Sequence, residues 1–469
     1  MIKNFNTKYQ GVPIVDLLTS HFTCISQTCR DNHILNGLSF INYLHFCKKY
    51  SSNSILLTET KDKKETFYQW FVGFSDGESN FSILPKYDEL KNKINRFNFR
   101  FTIGLHQDDQ NVLVHIHNLL GVGYISENNE ECKFVVSDKD GIGKLISIFD
   151  QYNLNTTKYL DFLDFKKAFN LYYCRDGVLT EELKYKIIKI KSGMNSNRTD
   201  FSMPSNHIKI TSYWLLGLIE GEGSFQLWRS DLVPVFSIVF TERQLPVLVK
   251  IKEFFISNSG FDDNSIWKLK NSSTIGINTQ KARNNSKSSV LLIIKDIRVL
   301  YNYLIPLFDK LDFMSKKGQD FNDFKIICRA IYHGSHKEEY IRSLIIKLSY
   351  SMNNFRLSNY SAEKPAKLLT EDEKDILLNS PPLVEHLWDG RLRDIKTRKI
   401  IYQHESSLYK IIKPNGEILT LQTLSESAKI VGVNVKTLSK YLDVDFEINP
   451  KFTAIIKDHK IKRFKTYYK

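Results

Sequence analysis

Apolar residues along this chain change from helical to alternating spacing and back, and the same succession occurs twice. The first begins with "ETFYQWFVGFSDGES", residues 65–79, a mostly apolar run without proline that reads as a buried helix. A strand hairpin follows. Its second arm, Asn95 to Thr102, alternates without a break: Phe97, Phe99 and Phe101 fall on one side, Arg96, Asn98, Arg100 and Thr102 on the other. Such a strand buries an aromatic face and presents a basic, hydrogen-bonding one. "NVLVHIHNLLG" then reads as a helix, "GVGYIS" and "CKFVVS" as strands, and the stretch from Gly141 to Cys174 as helices. The order αββαββα is that of a mixed α+β unit.

Downstream the order is repeated. Glu78 aligns with Glu222, "IGLHQDDQNVLVHI" from Ile103 with "IVFTERQLPVLVKI" from Ile238, and "TKYLDFLDFK" from Thr157 with "KKGQDFNDFK" from Lys316. The offset between copies shifts because the second has a shorter first hairpin and a longer insertion after Phe255. Their exits match as well, "MNSNR" from Met194 against "MNNFR" from Met352. This predicts a pseudo-symmetric tandem repeat with copies at 65–200 and 206–358, an N-terminal extension at 1–64, a linker at 359–400 and a further module at 401–469.

Both apolar helices carry glycines one turn apart, Gly73 and Gly77 in the first, Gly217 and Gly221 in the second. Each glycine weakens a helix by about 1 kcal/mol relative to alanine. Two on one face of each helix therefore call for close backbone contact between the copies. Paired that way, Glu78 and Glu222 emerge together at two helix C-termini. The carboxylates and the helix ends repel one another, and a divalent cation relieves the repulsion. Few carboxylates with other positions left to water and phosphate suit Mg²⁺, and cations beside a phosphate suit phosphodiester hydrolysis.

Charge narrows the partner. A formal net charge of +14 favours a polyanion, nucleic acid before an anionic membrane. "SVLLIIKDIRVLYNYLIPLF" is interrupted by Lys295, Asp296 and Arg298, short of the roughly 20 uninterrupted apolar residues of a membrane span, so no membrane partner is expected. Six cysteines without a CxxC pair fit a reducing compartment. His21, Cys24, Cys29 and His33 lie close together, but off the usual zinc spacing. Frequent Asn, Ile, Lys, Tyr and Phe with scarce Ala match AT-rich codons, and the start has neither signal-peptide nor presequence character. Both point to an organelle-encoded protein.

"FVGFSDGES" and "LLGLIEGEG" resemble the two signatures of LAGLIDADG homing endonucleases and related intron maturases, in the single-chain, two-repeat form of fungal mitochondrial introns. The resemblance covers residues from about 66 to 356 and rests on the paired motifs. It implies a DNA-binding saddle of two αββαββα units, curved sheets in the major groove, paired helix ends at the minor groove, and Mg²⁺-dependent cutting of both strands. One carboxylate from each copy would serve each active centre. The residues that match are Glu78 and Glu222 as catalytic, metal-holding acids, and Lys158 and Lys317 where relatives place a basic residue near the scissile phosphate. Gly73, Gly77, Gly217 and Gly221 form the helix interface. Asp76 and Glu220 match an earlier acidic position that does not hold metal in this family. Ser75 and Ser79 depart from the signature that the second copy keeps.

DNA contact is expected from Ser82, Lys86, Arg96, Asn98, Arg100, Thr102 and Gln226, with arginine suited to guanine edges and asparagine to adenine. The implied partner is a double-stranded target site bound by a monomer. A maturase would instead use the same surfaces on host intron RNA, and a non-catalytic DNA-binding regulator would have no need of the acids.

Past the copies, "SAEKPAK" and "NSPPL" read as linker turns, and "YKIIKPNGEILTL" as a hairpin about Asn415 and Gly416. "LQTLSESAKIVGVNVKTLSKYLD" reads as two helices about Gly432, a helix-turn-helix whose second helix offers Asn434, Lys436, Thr437, Ser439 and Lys440 to DNA. It resembles the small DNA-binding modules appended to homing endonucleases. The tail "KDHKIKRFKTYYK" would add phosphate affinity.

Overall fold

The first apolar run is a helix, α1, over residues 62–78, and it passes without a loop into strand β1, Ser79–Asp88. The computed structural model describes residues 62–88, 93–128, 130–258, 275–282, 287–357, 368–387, 392–402, 406–421, 423–446 and 452–466. Strand β1 pairs with β2 (Lys93–His106), followed across the sheet by β4 (Glu131–Val136) and β3 (Tyr124–Glu127), all antiparallel. The alternating arm is thus longer than its sequence signal at both ends. Helices α2 (Gln110–Leu120), α3 (Lys139–Gln151), α4 (Lys158–Tyr173) and α5 (Glu181–Ser192) complete the first copy.

The second copy reproduces this order. Helix α6 (Ser212–Glu222) runs into β5 (Gly223–Trp228), which pairs with β6 (Val233–Thr241), then β8 (Ser289–Ile294) and β7 (Gly276–Gln280). Its helices are α7 (Leu245–Asn258), α8 over 297–308 with a π-helical turn at Leu300–Leu304, α9 (Lys317–Tyr332) and α10 (Glu339–Ser349).

Corresponding aromatics occupy corresponding places in the core. Phe81 lies 5.3 Å from both Phe101 and Phe165, and Phe225 lies 5.3 Å from Phe236 and 5.2 Å from Phe324 (ring centroids). Burying each phenyl ring contributes about 2–3 kcal/mol. The matching exits are clamps. Asn195 and Asn353, both left-handed at φ 56 and 57, donate backbone N–H to Asp161 and Asp320 and side-chain amide to the carbonyls of Phe81 and Phe225. Arg198 bridges Asp161 and Asp164, and Arg356 bridges Asp320 and Asp323.

One expectation about the C-terminal third needs correction. The stretch expected as a linker carries helix α11 (Glu371–Leu378) and a three-stranded sheet of β9 (Val384–His386), β10 (Leu392–Asp394) and β11 (Ile400–Tyr402). It is fastened to the second copy: Lys347 pairs with Glu373 at 2.5 Å, the N–H groups of Leu383 and Val384 donate to His333 O, and His386 stacks on Tyr332 with centroids 3.7 Å apart. "NSPPL" is thus the turn between two packed elements.

The basic tail is likewise structured. It forms β15 (His459–Thr466), paired along the whole of β12 (Ser406–Ile412) in a sheet of order β13–β12–β15–β14, with β13 at Ile418–Leu421 and β14 at Ala454–Ile456. Ile461 is buried in it while its lysine neighbours point away, an alternation masked by the density of charge. Helices α12 (Leu424–Val431) and α13 (Val435–Phe446), joined at Gly432 with φ 68, pack on this sheet around Ile411, Ala428, Leu438 and Leu442, a core separate from that of the repeats. Residues 1–61, with His21, Cys24, Cys29 and His33, lie outside the described residues.

Candidate active site

Helices α1 and α6 meet backbone to backbone at their first glycines. A Cβ on Gly73 would sit 1.9 Å from Trp214 O, and one on Gly217 would sit 2.1 Å from Trp70 O. The second pair is looser: a Cβ on Gly77 would meet Glu222 Cγ at 3.3 Å, and one on Gly221 would meet Glu78 Oε1 at 3.2 Å. The first pair closes the interface, and the second leaves room for the stems of the two carboxylates. Both helices end at these glutamates.

Four acids at these helix ends divide into two kinds. Asp76 is buried and saturated: it accepts from Asn155 N (2.7 Å), Thr156 N (3.0 Å), Thr156 Oγ1 (2.6 Å) and Trp214 Nε1 (2.9 Å). Glu220 accepts from Trp70 Nε1 (2.8 Å), Met314 N (3.0 Å) and Ser315 N (2.5 Å). Burial still pushes both carboxyls above their ordinary range, against those donors. Glu78 and Glu222, by contrast, accept no hydrogen bond from the described residues. Burial raises the pKa of each. For Glu222 the nearby Glu78 carboxylate adds to the rise, for Glu78 the carboxylate of Asp109 does, and the ammonium groups of Lys158 and Lys317 oppose it in both.

The two lysines stand at the first residues of α4 and α9. Lys158 Nζ donates to Ser75 O (2.9 Å) and Gly77 O (3.0 Å), capping the end of α1, and burial lowers its pKa against four surrounding carboxylates. It lines a cleft of about 600 Å³ together with Glu222, whereas Lys317 lines one of about 980 Å³ together with Glu78. Each cleft thus combines an acid of one copy with a lysine of the other. Ser75 and Ser79 leave this end of α1 intact. Ser79 Oγ donates to Ser75 O (2.7 Å), and the buried Ser75 Oγ has no partner among the described residues.

The sheets place the expected contact residues unequally. Register pairs Ser82 with Arg100, Lys86 with Arg96, Leu84 with Asn98 and Asn80 with Thr102, so all the first-copy residues share one partly exposed face. In the second sheet Gln226 is exposed but faces Val235, Trp228 faces Val233, and Ser224 faces Ser237, so the paired strands carry no charge on this face. Asn434, Lys436, Thr437 and Lys440 are exposed near the start of α13, on the separate C-terminal core. Trp70 and Trp214 went unread as site residues, although each stands six positions before the saturated acid of its own helix.

The described residues hold no group of three or more His, Cys, Asp or Glu fit for a metal. The pair of unsatisfied glutamates suits a divalent cation that keeps much of its water. The family model described as LAGLIDADG endonuclease matches residues 71–169 and 215–328. The chain is 27% identical over 330 residues to the uncharacterized mitochondrial protein RF1 of Saccharomyces cerevisiae, 67% of each chain. It is 29% identical over 299 residues to the probable intron-encoded endonuclease Cox1-I1b of Schizosaccharomyces pombe, 62% of this chain and 71% of that one. Among solved structures it resembles the LAGLIDADG homing endonuclease I-GzeII in complex with its DNA target, at 26% identity and a TM-score of 0.53, over 61% of this chain and 99% of that one. I-SmaMI, bound to uncleaved DNA with calcium ions, shares the fold at 20% identity, with a TM-score of 0.51 over 61% of this chain and 98% of that one.

Proposed function

Because its two repeats belong to the LAGLIDADG endonuclease family, we propose that this chain, encoded in a mitochondrial intron, cuts both strands of one DNA target site in a Mg²⁺-dependent reaction. The observation that carries the reading is the contrast between acids: Asp76 and Glu220 are consumed by structural hydrogen bonds, whereas Glu78 and Glu222 are held beside the helix crossing with nothing donated to them by the described residues. Glu78 and Glu222 would hold the cation, which when bound activates water and stabilises the leaving oxygen. Lys158 and Lys317 keep positive charge where a phosphate must approach two acids. The basic face of β1 and β2 and the neutral face of β5 and β6 orient the duplex in its grooves. One chain supplies both halves, so a monomer is sufficient. The test is incubation with Mg²⁺ and a plasmid carrying the intron-free junction of the host gene. No metal-dependent cut at that junction sinks the reading.

Two further outcomes follow from the charges. The raised pKa values of Glu78 and Glu222 mean that their protons are bound more tightly in the folded chain than in the unfolded one. Their contribution to stability is full below the unfolded value and is lost as pH rises through the folded value. Glu222→Gln should therefore raise the melting temperature of the metal-free protein at neutral pH, with the gain shrinking towards acid. Mg²⁺ affinity of the parent, followed by titration calorimetry, should fall on acidification while still above the ordinary glutamate pKa. A gain in melting temperature that grows towards acid contradicts the assignment.

The second outcome concerns α13. If Lys436 and Lys440 touch phosphates, exchanging both for glutamate should weaken target binding and flatten the plot of log K against log salt by roughly 2 units. The cut positions should not move. An unchanged slope places these lysines off the DNA.

A further inference from the structure

The hydrogen bonds of the two buried tryptophans are exchanged between the copies. Trp214 of α6 donates to Asp76 of α1, and Trp70 of α1 donates to Glu220 of α6. Each acid also receives backbone N–H groups from the segment just before a lysine-bearing helix of its own copy: Asn155 and Thr156 before Lys158, Met314 and Ser315 before Lys317. Both links are buried, where a bond between an indole N–H and a carboxylate is strong and directional. A second restraint crosses at the same places. Thr157 N donates to Gln244 Oε1 at 3.1 Å, and Lys316 N donates to Asp109 Oδ1 at 3.0 Å.

We infer that Trp70 and Trp214 are positioning residues, each setting the lysine of the opposite copy and so the rate at which one particular strand is cut. Trp214 acts through Asp76 on Lys158, in the cleft of Glu222; Trp70 acts through Glu220 on Lys317, in the cleft of Glu78. Phenylalanine in place of either tryptophan keeps most of the aromatic volume and removes the N–H. The helix start then loses one restraint, and a displaced lysine slows the centre it serves by about tenfold or more.

This inference rests on the endonuclease reading. Its test uses a supercoiled plasmid with the intron-free junction to follow nicking and, in parallel, a linear fragment of the same junction end-labelled on one strand or the other to identify the strand cut, both under single-turnover conditions with Mg²⁺. Trp214→Phe should accumulate nicked circles cut in one strand, and Trp70→Phe should accumulate circles nicked in the other. DNA affinity should stay at the parental value. A merely structural role for the indoles would slow both strands alike. Equal slowing of both strands in either variant, or parental rates on both strands, overturns the inference while leaving the endonuclease reading in place. A parent chain that cuts neither strand overturns both. Should either phenylalanine lower the melting temperature sharply, Asp76→Asn and Glu220→Gln probe the same links and must give the same opposed strand pattern.

Discussion

Glu222→Gln should bind the intron-free target as tightly as the parent chain and cut both strands together slower by about 10³-fold or more. The substitution keeps the shape of the side chain and removes one of two negative charges at the helix crossing. No hydrogen bond of the described protein is lost, since Glu222 accepts none. Folding and DNA contact are therefore spared, and only the capacity to hold a cation between the copies is reduced. Gel shifts without metal measure the first property and plasmid cleavage the second. Double-strand cleavage near the parental rate would remove Glu222 from the chemistry. The same variant separates the maturase reading, because intron splicing that persists with the amide form would come from the basic surfaces alone.

Gly217→Ala should destabilise the fold by about 3 kcal/mol or more, at the upper end of ordinary overpacking. Its Cβ would lie 2.1 Å from Trp70 O and 2.7 Å from Phe74 N. Both obstacles are backbone, so the helices themselves must part. The melting temperature should fall by roughly 6–10 °C. Gly221→Ala provides the contrast, because the atoms nearest its Cβ would be Glu78 Oε1 at 3.2 Å, Glu78 Cγ at 3.3 Å and Gly77 Cα at 3.6 Å. A side chain that can turn aside, together with the better helix propensity of alanine, should hold the net change within about 1 kcal/mol. Catalysis, however, should suffer, since the side chain that turns aside is Glu78. Equal losses of stability at the two positions would show that the interface is not closed at the first glycines.

The helix pairing was legible because it depends on what is missing: glycine in an apolar helix is costly, and four at matched places leave few explanations. The α+β repeat was legible for a similar reason, since Phe97, Phe99 and Phe101 keep the period of a strand and the second copy keeps the order. The work of Asp76 and Glu220 was not legible. Their donors come from positions 155–156 and 314–315 and from a tryptophan of the opposite copy, distances along the chain that no local pattern encodes. Only the matched spacing of tryptophan and acid hinted at it. Lysine-rich tails look alike whether solvated or paired, and β15 was missed because Ile461, deeply buried in it, is flanked by charge.

The two sheet faces have drifted apart while the helix crossing has not. Arg96 and Arg100 stand on one, Gln226 and Trp228 on the other, yet each cleft still draws an acid and a lysine from different copies. On the proposed reading, chemistry is held in common and recognition is private to each copy. The DNA sequence that fits this protein should therefore lack a palindrome: its left and right halves answer to two different surfaces, and inverting one half should cost affinity even though every base pair is retained.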